Sequence, residues 1–212
     1  MPTPIVKSIG SAVGRNYGTP QAFEDAIPSN ITAAGTDETW TGECYNDSPF
    51  TTGTTFSGTT TDVTHWIKLT TATGQSFMDH ADKLTNALTY DQTKGVGINV
   101  SGSYTNGIRL SNAENITIEK LQINRTNASG NNRAIFADGT GANKLVQNVI
   151  VKTSESGSEG ILMYGGKVNN TLIICTATNT TGLFLRNGSE GNFVTVVSPP
   201  DGTNTHMMIN GQ

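Results

Sequence analysis

The chain has little charge. Asp, Glu, Lys and Arg make up 14% of its 212 residues, against roughly 25% in a typical globular protein. The net charge is −4, and the few Lys and Arg are scattered, so the basic patch of a nucleic-acid-binding surface is missing. No apolar run approaches the roughly 18 residues that a membrane-spanning helix needs. Neither nucleic acid nor membrane is therefore an expected partner. The opening Met-Pro-Thr-Pro lacks the pattern of an export signal, which predicts synthesis in a cytoplasm. Only two cysteines occur, and Cys44 and Cys175 are far enough apart to be read as buried free thiols. The three histidines, His65, His80 and His206, are not at ligand spacing, and two distant cysteines make no zinc site. Gly139-Thr140-Gly141 and Gly165-Gly166 lack the Lys-Ser/Thr of a phosphate loop, and no Ser-centred nucleophile elbow occurs. No cofactor and no metal is expected.

What fills the chain instead is Thr, Asn, Ser and 24 Gly, with 34% apolar residues. The apolar residues recur in register, which excludes disorder. From Gly107 onward a unit repeats every 22 to 28 residues. Its first strand reads Gly107–Leu110, Ala134–Ala137, Gly160–Met163, Gly182–Leu185 and His206–Ile209. A second follows in the first four units at Leu121–Ile123, Val149–Val151, Leu172–Ile174 and Val194–Val196. Such a period marks a stacked array whose units are stable only together. Short strands, Gly/Asn/Ser turns and the absence of a helical period predict an all-β fold, a right-handed parallel β-helix (solenoid). The regular rungs begin at about residue 96 within a body spanning 48–212.

Residues 1–47 differ. Thr19-Pro20-Gln21 supplies an N-cap and a Pro at N1, and Pro28 is a stop. A helix of about two turns over 20–27 is expected, with Ala22, Phe23, Ala26 and Ile27 apolar, laid as a cap over the open first rung. A first strand follows as the pattern Thr39–Asp47, which ends in a turn signal. Strands are also predicted at 54–58, 64–70, 87–90 and 96–100, and residues 73–86 as a protruding loop.

Alternation within strands assigns the sides. Ile108/Leu110, Ile135/Ala137, Ile161/Met163 and Leu183/Leu185 should face inward on one sheet. On the other, Leu121/Ile123, Val149/Val151, Leu172/Ile174 and Val194/Val196 should do so. Glu119, Gln147, Asn170 and Asn192 should form a side-chain ladder at a turn, and Thr153, Thr176 and Ser198 another. Outward then fall Phe136, Leu162, Phe184 and Met208 on the first strand, and Ile150 and Ile173 on the second. A solvated face does not carry such a stripe, and its size suits a subunit interface, most simply around a threefold axis. A loop covering the stripe, or a bulge inverting the parity, is the alternative. The end Met207-Met208-Ile209 either closes the last rung or docks on a partner.

A sugar-cleaving β-helix would need paired acids on one outer face. The candidates are Glu155 with Glu159, Asp79 with Asp82, and Asp138, none beside an aromatic platform. Trp40 and Trp66 are read as packing. A catalytic site is not expected.

Arg15–Pro28 followed by Trp40–Asp47 resembles the opening of β-helix proteins encoded by tailed phages and prophages. Gly74-Gln75-Ser76-Phe77, Leu88-Thr89-Tyr90 and Gly95-Val96 are similar to the same group, and the shape to the pectin-lyase-like superfamily. The resemblance covers about the first hundred residues. It implies a non-catalytic virion protein, either a homotrimeric capsid decoration (cement) protein, partnered by itself and by the major capsid protein, or a tail spike or fibre component. The alternative is a spike that binds or degrades a host glycan.

Overall fold

A computed structural model of the protein describes all residues except 83, 86–87, 103–104, 127–131, 140, 142, 155, 200–204 and 211–212. For residues 205–206 and 209–210 it describes the backbone alone. The early strands are β1 (Thr3–Ile9), β2 (Glu38–Cys44), β3 (Thr54–Ser57), β4 (Ile67–Thr71) and β5 (Gly97–Ser101). Regular rungs follow: β6 (Ile108–Ser111), β7 (Ile116–Glu119) and β8 (Gln122–Thr126); β9 (Arg133–Asp138), β10 (Lys144–Gln147) and β11 (Ile150–Thr153). The upper rungs hold β12 (Glu159–Tyr164) with β13 (Lys167–Cys175), β14 (Thr181–Arg186) with β15 (Glu190–Val197), and β16 (Thr205–Asn210).

Every strand pairs in parallel with its counterpart one rung away, so the fold is all-β and solenoid-like. A six-stranded first sheet runs β3-β6-β9-β12-β14-β16. A ten-stranded sheet bends into two further faces. β1-β2-β4-β7-β10 forms one and β5-β8-β11 the other. They join because β13 pairs with β10 through its first half and with β11 through its second, and β15 continues both halves. Each rung thus has three strands, not two. The missed ones, β7 and β10, are four residues long and separated from the next strand by two corner residues.

That corner is built by Lys120, Asn148, Asn170 and Phe193, with φ of 62°, 52°, 45° and 54°. Asn tolerates the left-handed region because its short amide bonds locally. The side before the corner carries the predicted side-chain ladder with one member exchanged: Glu119, Gln147, Asn169 and Asn192 are in register, with Asn169 in place of Asn170. Gln147 Nε2 donates to Glu119 Oε2 at 2.8 Å, and Asn192 Nδ2 to Asn169 Oδ1 at 3.1 Å. In the second ladder Cys175, not Thr176, stands beside Thr153.

On the first sheet the inward residues are those expected: Ile108, Leu110, Ile135, Ala137, Ile161, Met163, Leu183 and Leu185 are all buried. On the third face the column Ile98, Ile123, Val151, Ile173 and Val196 is inward. The parity of β13 is therefore the reverse of that predicted. Leu172 and Ile174 point outward, while Ile173 lies in the core with no exposure. The cause is Thr171, a polar residue in an inward position. It is buried, and its hydroxyl donates to the Asn169 carbonyl.

Helix α1 is one turn, Pro20–Glu24, shorter than the predicted 20–27. The Thr19 hydroxyl accepts from Ala22 N at 3.1 Å, as an N-cap does. Three-residue turns through Ala26 and Ile27 then replace the second helical turn. Phe23 and Ile27 are buried and Ala26 is exposed. Phe23 lies over Gly42, where a Cβ would fall 2.9 Å from its ring and 2.7 Å from Ile9. Only glycine leaves room there. The predicted strand at 87–90 is absent over its described part, Leu88–Tyr90, which holds a bend and extended loop.

Candidate interaction surfaces

Register brings the predicted outer stripe of the first sheet together. Arg109, Phe136, Leu162, Phe184 and Met208 are consecutive partners across five strands. Its exposure is not what alternation suggested. Leu162 is 3% and Phe184 8% exposed, while Phe136 and Met208 are half-buried. Guanidinium groups roof the rings: Arg133 lies 4.5 Å and Arg109 5.6 Å from the Phe136 centroid, and Arg186 lies 4.3 Å from that of Phe184. Tyr164 meets Phe136 edge-on at 6.5 Å, and its hydroxyl accepts from Arg186 Nη1 at 2.9 Å. Arg109 is paired to Asp138 at 2.5 Å, and Arg133 to Glu159. Aromatic stacking and ion pairing hold these long side chains flat, so their stems cover apolar surface.

The third face is covered differently. Between β4 and β5 the described residues of 72–96 form a strap over its outer surface. A short 3-10 turn, Phe77–His80, buries Phe77. Gln122, outward on β8, holds the strap with its amide: Oε1 accepts from Asp91 N at 2.8 Å, and Nε2 donates to the Asp91 and Gly95 carbonyls. Gln122 is thereby fully buried, and so is Ile150 above it at 1%. Ile150 thus faces outward as expected, yet lies beneath covering residues. Beyond the strap the face opens into a groove with Ile150 and Leu172 on its floor. On its sides stand the exposed Met78 and Leu88 of the strap and Phe193 at the corner.

The acids considered for catalysis are engaged in holding structure. Asp79 accepts from Ser76 N in a capping box. Asp82 closes a turn through Leu84 N and Thr85 N, and those bonds lower its pKa. Asp138 and Glu159 belong to the arginine roof; Glu155 lies outside the described residues. Trp40 is buried with its Nε1 donating to Glu38 Oε2 at 2.9 Å, and Lys68 lies over the Trp66 ring. Among the described residues no group of three or more His, Cys, Asp or Glu is placed to hold a metal ion, and no helix is long and apolar enough to cross a membrane. Cys44 and Cys175 are buried free thiols, their pKa values raised by desolvation.

Sequence reasoning missed His65. It is buried between two carboxylates, Nδ1 2.7 Å from Asp62 Oδ1 and Nε2 2.8 Å from Asp37 Oδ1. Each ring nitrogen lies within hydrogen-bonding distance of a carboxylate, which favours the doubly protonated ring. The two hydrogen bonds raise its pKa and lower that of Asp62. The clamp joins the turn before β2 to the loop before β4. Asp62 at i−3 was a legible signal; Asp37 was not.

The chain matches no family model, and no curated protein and no solved structure matches it.

Proposed function

We propose that the chain is a non-catalytic virion protein of a tailed bacteriophage, assembled as a homotrimer that decorates the capsid surface. In this reading the coil is right-handed and α1 closes its N-terminal end. The observation that carries the proposal is the outer column of the first sheet, where Phe136, Leu162, Phe184 and Met208 run through four successive rungs under arginines. Phe, Tyr and Arg are the residues enriched at protein interfaces. Arg109 and Arg133 carry their own carboxylates, which lowers the cost of removing them from water when a second copy packs on the column. Half-buried Phe136 and Met208 complete their burial in that contact. The engagement of Asp79, Asp82, Asp138 and Glu159 in caps, turns and ion pairs supports a binding role over a hydrolytic one. The partners are two sister copies and the major capsid protein.

Light scattering on the purified protein tests the assembly: the expected mass is three chains. Phe136→Asp with Met208→Asp should give single chains with an unchanged circular dichroism spectrum. A monomeric wild type, or a double variant that stays trimeric, rejects the seam. Labelled electron microscopy of particles tests the location, and label confined to tails rejects capsid decoration.

A further inference from the structure

The first strand of each face has its free edge engaged by the chain itself. Along β3, Gln21 Oε1 accepts from Thr55 N at 2.8 Å and Glu24 Oε1 from Ser57 N at 2.9 Å. Beside β1, Tyr17 N donates to the Ser8 carbonyl and Gly10 N to the Tyr17 carbonyl. Beside β5, Phe50 N donates to the Gly97 carbonyl and Asn99 N to the Phe50 carbonyl. An open edge is a template for another strand, and these contacts remove it.

β15 is treated otherwise. It pairs with β13 on one side and, among the described residues, with nothing on the other. Leu172 N donates to the Val149 carbonyl, toward β11. Thr195 stands in register with Leu172, so it directs its backbone groups to β13, and alternation directs those of Val194 and Val196 to the open side. These two inward valines are only half-buried. On the outer side Phe193 is 89% and Val197 50% exposed. Phe193 also holds the left-handed corner conformation that Asn170 and Asn148 hold one and two rungs below. A bulky residue there is a genuine outlier, and no burial within this chain offsets the strain.

We propose that β15 pairs antiparallel with β15 of a second copy, across a twofold axis through Thr195. A twofold lets one edge serve as its own partner. This axis sets Val194 against Val196 of the second copy, so their open-side N–H and C=O groups meet each other. The inward valines stay inward and the two cores become continuous. On the outer side Phe193 falls opposite Val197 of the second copy, and each covers the other. Thr195 meets its own counterpart, a favourable cross-strand pair. Residues 191–197 carry no charge that would oppose itself. One short edge buries less than the roughly 1,000 Å² of a stable interface. The dilute protein therefore keeps the mass set by its seam, and the pairing forms where copies are crowded. It does not rest on that seam, which uses the first sheet.

Disulfide trapping on the full chain tests it. The two Thr195 form a non-hydrogen-bonded pair with Cα atoms about 4.5 Å apart, within the reach of a disulfide. Concentrated Thr195→Cys protein treated with copper–phenanthroline should give a reducible two-chain band on denaturing gels. It should form at least tenfold faster than with Thr51→Cys, at a position exposed elsewhere. Cys44 and Cys175 are buried and stay out of the reaction. Val196→Pro removes an N–H on the open side, where an edge strand tolerates proline. It should slow the link at least tenfold with an unchanged circular dichroism spectrum, and so should Val197→Lys, at an exposed position. With Phe136→Asp and Met208→Asp added the link should persist, which separates this pairing from the seam. Any of four results overturns the proposal: a rate no faster than that of Thr51→Cys, an unchanged rate in both Val196→Pro and Val197→Lys, a link lost with the seam, or slow amide exchange at Val196 in dilute protein. The last would show the edge covered by the chain's own residues.

Discussion

Phe184 and Phe193 sit on consecutive strands, both directed away from the core, yet one is 8% and the other 89% exposed. Around Phe184 the chain supplies its own cover, an arginine stacked at 4.3 Å and linked to Tyr164. Around Phe193 it supplies none, although a strap covers the same face three rungs below at Gln122. An outward apolar position in a stacked coil is therefore not yet a surface. What lies over it is decided by residues from neighbouring rungs and distant loops, and the two faces have settled that question in opposite ways.

The strongest way to break this comparison is at the parity of β13. Ile173→Ala should cost about 2–5 kcal/mol, as a buried Ile in a packed core does, whereas Leu172→Ala should cost under about 1 kcal/mol. Denaturant unfolding of both variants checks this, and equal costs would restore the predicted parity. Next in size, Phe184→Ala should destabilise by about 3 kcal/mol, since a buried ring and its arginine stack are lost together. Phe193→Asn should instead stabilise by about 1 kcal/mol through relief of the left-handed strain. A destabilised Phe193→Asn would show that its ring is packed in solution.

Gln122→Leu sharpens the comparison by uncovering the closed part of the third face. With its three amide bonds gone and the strap's Asp91 and Gly95 groups unpaired, stability should fall by about 1–3 kcal/mol. Amide hydrogen exchange at 88–96 should quicken well before global unfolding, and uniform protection would mean that the strap is held by its apolar contacts instead. The smallest effect lies outside both faces, at His65. Its folded pKa is raised, so its stabilisation is complete below the unfolded value of about 6.5 and is lost as pH rises through the folded value. Asp62 works in the opposite sense: its depressed pKa gives stability above about pH 3.9 that is lost as pH falls through the folded value. Melting curves of wild type and His65→Gln should differ most near pH 6 and converge with rising pH. Divergence in that direction would contradict the charged clamp.

Much of the coil was legible because apolar alternation and period are properties of short stretches. Ile108/Leu110 through Leu183/Leu185 announced one wall of the core without ambiguity. The second wall failed at Thr171, where a hydroxyl satisfied by a backbone carbonyl takes an inward place and makes Leu172 look like the core residue. The outer surface was less legible still. Roofing arginines and the Gln122-held strap act through contacts between segments separated by 22 to 31 residues, and a local pattern carries no trace of them. The exposed ring of Phe193 was hidden for another reason: its left-handed conformation shows only when the rungs are aligned by structure.

The corner at Lys120, Asn148, Asn170 and Phe193 also bears on how the chain can change length. In the first sheet the repeats measure 27, 26, 22 and 24 residues from Ile108 to Ile135, Ile161, Leu183 and Met207. From β7 to β15 this corner turns on a single left-handed residue, whereas one rung below, between β4 and β5, it opens into the strap. Among the regular rungs the variation in length is therefore confined to the other two corners. A one-residue insertion or deletion here should block folding, because it would turn the following strand inside out, while a long loop that returns the chain in register is accommodated, so this edge of the coil changes by whole excursions and the other two by single residues.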